Sequence, residues 1–236
     1  MGKVEMFNRV RGSMGRRWQS NSTIKRFIDE NRAIAHTTVF QGTLYEHTVM
    51  RELEGKLAMT NLRKTGGAND RGVDIRGSWN ISKVFNTMSP ILKLDQTEIP
   101  ARCKFNGVTF KPFRHKLPRE TQLNVLIQCK AFTSSKVAPR EFRELLGTFT
   151  SQVSNSQRNK TAIMMCSPNM LTKDGLSLIN SVSMPLIYLR IEMLRQRGTE
   201  YDIDSGRLLN YYENEYAAQF LQGMGIKEWL KLSMFK

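Results

Sequence analysis

The stretch VLIQCK, Val125 to Lys130, is a run of apolar residues that ends in two polar ones with a period of two. It reads as a buried strand, and the alternation puts Gln128 and Lys130 on the same face, their polar tips emerging together at the strand's end. Downstream, the linker FTSSKVAP leads to Pro139, a residue suited to the first position of a helix. Phe142, Leu145, Leu146, Phe149 and Val153 form the apolar face of that helix. Thr161 to Cys166 reads as a second buried strand, Thr172 to Asn180 as a short helix and Pro185 to Leu189 as another strand. Ile191 to Arg195 and the carboxyl-terminal segment read as mostly helical.

Upstream, Val39 to Ala58 carries Val39, Val49, Met50, Leu53 and Leu57 on one helical stripe. Glu46 falls inside it, within roughly 40° of Met50, Leu53 and Leu57 at 100° per residue. A carboxylate is seldom buried without a partner, so Glu46 is expected to meet a cation, or to sit at the stripe's edge and pair with Arg51 or another base. Met59 to Lys64 reads as extended. In GGANDRGVDI, Gly66 to Ile75, the glycines supply bends and Val73-Asp74-Ile75 alternates as a half-buried strand, with Asp74 turned away from its two neighbours. The order helix, three strands, helix, strand, helix, strand is an αβββαβ plan, an α/β fold with a mixed sheet flanked by helices.

Between these parts, residues 76–121 lose periodicity. A helix near Val84 is followed by Pro90, Pro100, Pro112 and Pro118 and by basic residues from Arg102 to Arg119, which together suggest a long excursion from the domain. Its basic half suits either a nucleic-acid groove or a solvated loop.

The chain has 236 residues, with 36 Lys and Arg against 21 Asp and Glu, a net charge of +15 that attracts polyanions. Nucleic acid is the leading partner, and oligomeric state is open, a homodimer included. No apolar run reaches the ~18 residues of a membrane span. Cys103, Cys129 and Cys166 are widely spaced and lack metal-ligand spacing with His36, His47 or His115, so neither a zinc module nor a disulfide scaffold is indicated. The first 35 residues are rich in Arg and Lys and hold few acids, as in a mitochondrial presequence, although a basic arm touching phosphates has the same composition. The expected organisation is therefore a basic segment at 1–35, a domain at 36–195 and a helical extension at 196–236.

Glu46, Asp74, Gln128 and Lys130 are one helical acid and three strand-borne polar groups turned toward a common face. Phosphodiester hydrolysis needs a hard cation on oxygen ligands, a water made nucleophilic and positive charge at the transition state. Glu46 and Asp74 offer carboxylates, Gln128 a neutral carbonyl and Lys130 a group to orient or deprotonate water.

GGANDRGVDI followed by VLIQCK, with a helical Glu upstream and PREFRELLGTF downstream, resembles the Mrr-type branch of the PD-(D/E)XK nuclease superfamily. The resemblance implies a restriction-endonuclease-like core, Mg²⁺ or Mn²⁺ as cofactor, Glu46, Asp74 and Gln128 as metal ligands, and Lys130 beside Gln128 as the Q-x-K form of the usual acid-x-Lys pair. Asp70 and Gly72 then shape the turn that delivers Asp74. More closely, RKTGGANDRGVDIRGSW, EFRELLGTFTS and SQRNKTAIMMCSPNMLTKD resemble the fungal mitochondrial "required for respiratory growth" proteins of the seventh kind, which implies residence in the mitochondrion, in the matrix, and a link to respiratory competence. Two features depart from a simple nuclease hairpin. About fifty residues separate Asp74 from Gln128, so their strands pair only if the excursion loops out. Gln in place of an acid also removes one negative charge from the metal site.

Overall fold

The computed structural model describes residues 20–65, 72–95, 98–114, 121–132 and 134–234; Asp70 and His115 lie outside them. Residues 20–30 form α1, and a single 3-10 turn spans Arg32–Ile34. Helix α2, Thr38–Lys56, starts where Thr37 accepts the Phe40 N–H on its hydroxyl at 3.2 Å, which satisfies one of the donors a helix start leaves open. Strands β1 (Met59–Lys64) and β2 (Ile75–Asn80) follow, then α3 (Ile81–Leu92), the small hairpin β3 (Cys103–Phe105) and β4 (Val108–Phe110), and β5 (Gln122–Cys129). Next come α4 (Pro139–Gln152), α5 (Asn155–Arg158), β6 (Thr161–Ser167), α6 (Lys173–Ser181) and β7 (Leu186–Ile191). The chain ends with the hairpin β8 (Arg195–Arg197) and β9 (Glu200–Asp202), strand β10 (Leu208–Glu213), α7 (Glu215–Phe220) and α8 (Ile226–Met234).

The central sheet runs β1-β2-β5-β6-β7-β10. Its first three strands are antiparallel, β5, β6 and β7 are parallel, and β10 returns antiparallel to β7. The expected mixed sheet flanked by helices is therefore what forms. Every residue of β6 is buried, the mark of a strand covered on both faces. One apolar layer joins Tyr45, Val49 and Leu53 of α2 to Ile75, Ile127 and Cys166; the other joins Phe142, Leu145 and Phe149 of α4 to Val73, Leu126 and Ile163.

Several expectations change. The strand begins at Ile75 rather than Val73, and Val73 and Ile75 enter opposite apolar layers instead of sharing a face. The pairing is irregular here: Ile75 sits opposite Ile127, yet the Asp74 N–H also donates to Ile127 O at 3.0 Å. Val39 is 73% exposed, because the buried side of α2 runs through Phe40, Leu44, Tyr45, Thr48 and Val49. The segment after Ile191 is not mainly helical. It supplies the β8–β9 hairpin and a sixth sheet strand, so the sheet extends beyond residue 195. Nor is the amino-terminal segment separate up to residue 35: Ile24 and Ile28 pack against Phe40, Leu44 and Leu194.

The excursion does loop out, leaving β2 and β5 paired from Ile75↔Ile127 to Asn80↔Gln122. It is more than a solvated loop. Ile81, Val84 and Met88 of α3 are buried, Phe110 stacks on Tyr216 at 3.9 Å, and Phe113 meets Phe220. It leaves and re-enters the sheet at the Asn80 and Gln122 end, on the order of 20 Å along β2 from Asp74 at ~3.3 Å per residue. Among the described residues, no helix is long and apolar enough to cross a membrane.

Candidate active site

The β2–β5 pair frays at the Ile75 end, and the side chains there take over from the main chain. Beyond Ile75↔Ile127, the Cys129 N–H donates to Asp74 Oδ2 at 2.6 Å in place of a main-chain partner. The Asp74 carbonyl accepts from Thr65 N at 2.9 Å, which ties β1 to the same place. Gly72 makes the approach with φ of +76°, and a Cβ added to it would lie 2.9 Å from Thr148 Oγ1 and 3.6 Å from Gln128 Nε2. A side chain there would therefore be strained and would press on Thr148 of α4, while meeting Gln128 at an ordinary contact distance.

Gln128 is 5% exposed, and its Oε1 is fully buried with no hydrogen-bond partner among the described residues. A buried acceptor left open is uncommon and costs free energy unless a donor or cation reaches it. Two residues on, Lys130 Nζ lies 3.1 Å from Glu144 Oε2 of α4, and Arg140 Nε lies 3.3 Å from the other oxygen of that carboxylate. These contacts, the Lys130 hydrogen bond first, hold the Glu144 carboxyl below its usual range.

Glu46 is not a deeply buried acid. It pairs with Lys64 of β1 at 2.8 Å, with about a fifth of its side chain exposed. The buried acid of α2 is Glu52, which lies 3.1 Å from the Arg51 guanidinium and accepts the Leu208 N–H. Gln128 and Lys130 thus point to the α4 layer, Glu46 and Lys64 belong to the α2 layer, and Asp74 sits at the frayed end of the sheet. The Cys129 thiol feels both acids. Burial pushes it well up, Cys166 adds to the shift through a hydrogen bond and its charge, and the fields of Asp74 and Glu46 raise it further. Among the described residues, no three His, Cys, Asp or Glu side chains gather closely enough to form a metal centre by themselves.

Sequence reasoning passed over Lys64, Glu144, Thr148 and Asn169. Glu144 was accessible through its i,i+4 spacing from Arg140. The role of Asn169 is tertiary: its amide donates to Phe132 O at 3.0 Å and Ser135 O at 2.8 Å, fixing the loop after β5. Lys136 on that loop and Arg140 and Arg143 in the first turns of α4 are exposed, and Arg140 shares the Glu144 carboxylate with Lys130.

This sheet and site lie within a recognised stretch of sequence: the family model described as Required for respiratory growth protein 7 matches residues 37–221, from the start of α2 through α7. The chain belongs to that family. Its Zygosaccharomyces rouxii relative, named "Required for respiratory growth protein 7, mitochondrial", is 57% identical over 100% of both chains. The Saccharomyces cerevisiae protein of the same name is 53% identical, with 96% of each chain covered. The Kluyveromyces lactis protein is 41% identical, over 91% of this chain and 92% of its own. No solved structure matches the family member described here.

Proposed function

We propose that this protein is a mitochondrial, metal-dependent phosphodiesterase of the restriction-endonuclease-like class, in its Mrr-type branch, that cuts DNA in the matrix and thereby supports respiratory growth. The observation that carries this reading is the open, buried Oε1 of Gln128, one residue before Cys129, whose N–H the Asp74 carboxylate holds, and two residues before Lys130. The donor chemistry fits a hard cation: Asp74 and Gln128 would hold Mg²⁺ or Mn²⁺, with Glu46 joining if it gives up Lys64. Bound there, the cation would supply Lewis-acid stabilisation of the phosphoryl oxygens.

The chain's own groups do the rest. Lys130 Nζ, on leaving Glu144, orients the attacking water and balances the charge that grows on the phosphate. Glu144 holds that ammonium in place before substrate arrives. Lys136, Arg140 and Arg143 hold neighbouring phosphates and set the strand in register without reading its bases. The mitochondrial placement rests on the names of the relatives, and the basic amino-terminal segment is of the kind that directs import.

The test is cleavage. Purified protein with Mg²⁺ or Mn²⁺ should cut DNA, whereas Asp74→Ala and Lys130→Ala should bind it and leave it intact. Equal cutting by all three proteins would end the assignment.

One observation favours a second reading, a non-catalytic nucleic-acid-binding factor on the same fold. Glu46 and Lys130 each already have an ionic partner, and Asp74 accepts a main-chain hydrogen bond. Such a factor would bind with a log–log salt slope of roughly −0.9 per duplex phosphate neutralised and show no metal-dependent cutting.

A further inference from the structure

The two faces of the sheet are covered unequally. On the α2 side, Ile81, Val84 and Met88 of α3 and Leu230 of α8 join Tyr45, Val49 and Leu53 in one apolar layer with residues of β1, β2 and β5. The buried layer under α4 holds Val73, Leu126 and Ile163 but no residue of β1 or β2.

The register says what stands on that side of these strands. Lys64, opposite Ile75, pairs with Glu46 of α2, so Arg63 and Arg76, the next opposed pair, lie on the α4 side. The Arg76 guanidinium donates to Gln152 Oε1 at the end of α4, in keeping with that placement. The same face continues through Ser78 opposite Asn124 and Asn80 opposite Gln122. Arg63, Gln122 and Asn124 are exposed, and Arg76, Ser78 and Asn80 are half-buried. Lys160 O accepts the Asn124 N–H at 2.8 Å, which sets an exposed lysine beside this face.

Its charge is of one sign. Strands β1, β2 and β5 contain no Asp or Glu, and neither do residues 145–160, which include Arg158 and Lys160. Directly opposed residues of an antiparallel pair have Cβ atoms about 5 Å apart, and like charges so placed repel. Among the described residues, neither Arg63 nor Arg76 has a carboxylate partner. A phosphate between the two guanidiniums removes the repulsion and accepts from both. No large apolar side chain is exposed on these strands or on α4, so the face has nothing to insert into a lipid surface and no ring on which an unpaired base would stack. Guanidinium, amide and hydroxyl groups are what hold sugar and phosphate.

We propose that this open face is a contact surface for duplex nucleic acid, on which Arg63 and Arg76 jointly hold one backbone phosphate and Ser78, Asn124 and Lys160 follow the backbone away from Asp74. Arg76 is two residues from Asp74, about 7 Å along the chain, so the phosphate it holds neighbours the one at the cation site. The surface rests on the nucleic-acid reading above, in its cleaving or its non-cleaving form.

A fluorescent DNA duplex should be titrated with full-length protein in EDTA, where metal-dependent cutting is silent, over a series of salt concentrations. Replacing both arginines, Arg63→Gln with Arg76→Gln, should weaken binding at least about tenfold and make the log–log salt slope shallower by about 0.9, the contribution of one phosphate. Arg63→Lys with Arg76→Lys keeps the charge and should keep the slope. Arg63→Gln alone, which removes no hydrogen bond among the described residues, should shift affinity and slope in the same direction with the fold intact by circular dichroism. Arg197→Gln with Lys231→Gln removes the same charge from β8 and α8 and should leave the slope unchanged. An unchanged slope in the Arg63 and Arg76 variants, or an equal change in the Arg197 and Lys231 variant, would overturn this surface and leave the cleavage reading intact. Duplex binding without cutting in Mg²⁺ would end the cleavage reading alone, and no duplex binding by the wild type would end both. Tighter binding to vesicles rich in phosphatidylglycerol than to the duplex, lost when both arginines become Gln, would make the face a lipid surface and overturn the proposal.

Discussion

Arg51 and Glu52, in the middle of α2, and Gln128 and Lys130, at the end of β5, are two polar pairs set into the edge of the core, but their hydrogen bonding differs. Arg51 spends its fork on Glu52 and on the carbonyls of Ile203, Ser205 and Gly206, while Glu52 accepts the Leu208 N–H. That cluster clamps the β9–β10 connection onto α2, and both its side chains are almost wholly buried. Gln128 instead keeps a buried acceptor open, and Lys130 holds a partner that is itself 43% exposed. A saturated buried pair stabilises a chain connection. An unsaturated one costs stability in the free protein and leaves an acceptor open to a donor or cation.

The largest effect should come from breaking the saturated cluster. Arg51→Ala strands Glu52 in the core and should cost about 3–5 kcal/mol by chemical denaturation. A loss under about 1 kcal/mol would erase the contrast, because a loss that small is typical of an exposed pair. A smaller effect, confined to acid, is expected from His47. Its folded pKa, about 4, lies below the unfolded value near 6.5, so the unfolded chain takes up a proton that the folded chain refuses. Stability contributed by the neutral imidazole is present above pH ~6.5 and is lost as pH falls from there toward 4. His47→Gln should flatten the pH dependence of the denaturation midpoint in that window, by less than full burial would give because the ring is partly open to water. An unchanged slope would mean that the imidazole titrates freely. The smallest effect belongs to the Lys130–Glu144 pair. Glu144→Gln should change stability at neutral pH by at most about 1 kcal/mol, and a larger loss would make that pair a structural clamp like Arg51–Glu52.

Much of the scaffold was legible because its signals are local. Pro139 and the spacing of Phe142, Leu145 and Phe149 mark α4, and the unbroken apolar runs of β5 and β6 mark strands buried on both faces. The Q-x-K alternation correctly put Gln128 and Lys130 on one side. The misreadings arose where tertiary contacts decide. A sheet irregularity at Asp74 sends Val73 and Ile75 to opposite layers, which a strict period of two does not foresee. Val39 drew the apolar stripe of α2 toward Glu46, whereas the true buried face includes Glu52, six residues on, with an internal partner in Arg51. Leu208 to Glu213 becomes a strand by pairing with β7, a partner some twenty residues earlier that no short window contains. The open Oε1 of Gln128 is likewise a property of its surroundings and has no sequence signature.

The central claim is that the open acceptor of Gln128, with Asp74, is a cation site. It is tested most directly by titrating Mn²⁺ into the wild-type protein, Asp74→Asn and Gln128→Met, and following free Mn²⁺ by its paramagnetic resonance signal. Wild type should bind one Mn²⁺ at the site, and each variant should bind it at least about tenfold more weakly while remaining folded. Mn²⁺ binding that is unchanged in both variants, or absent from the wild type, would contradict the account.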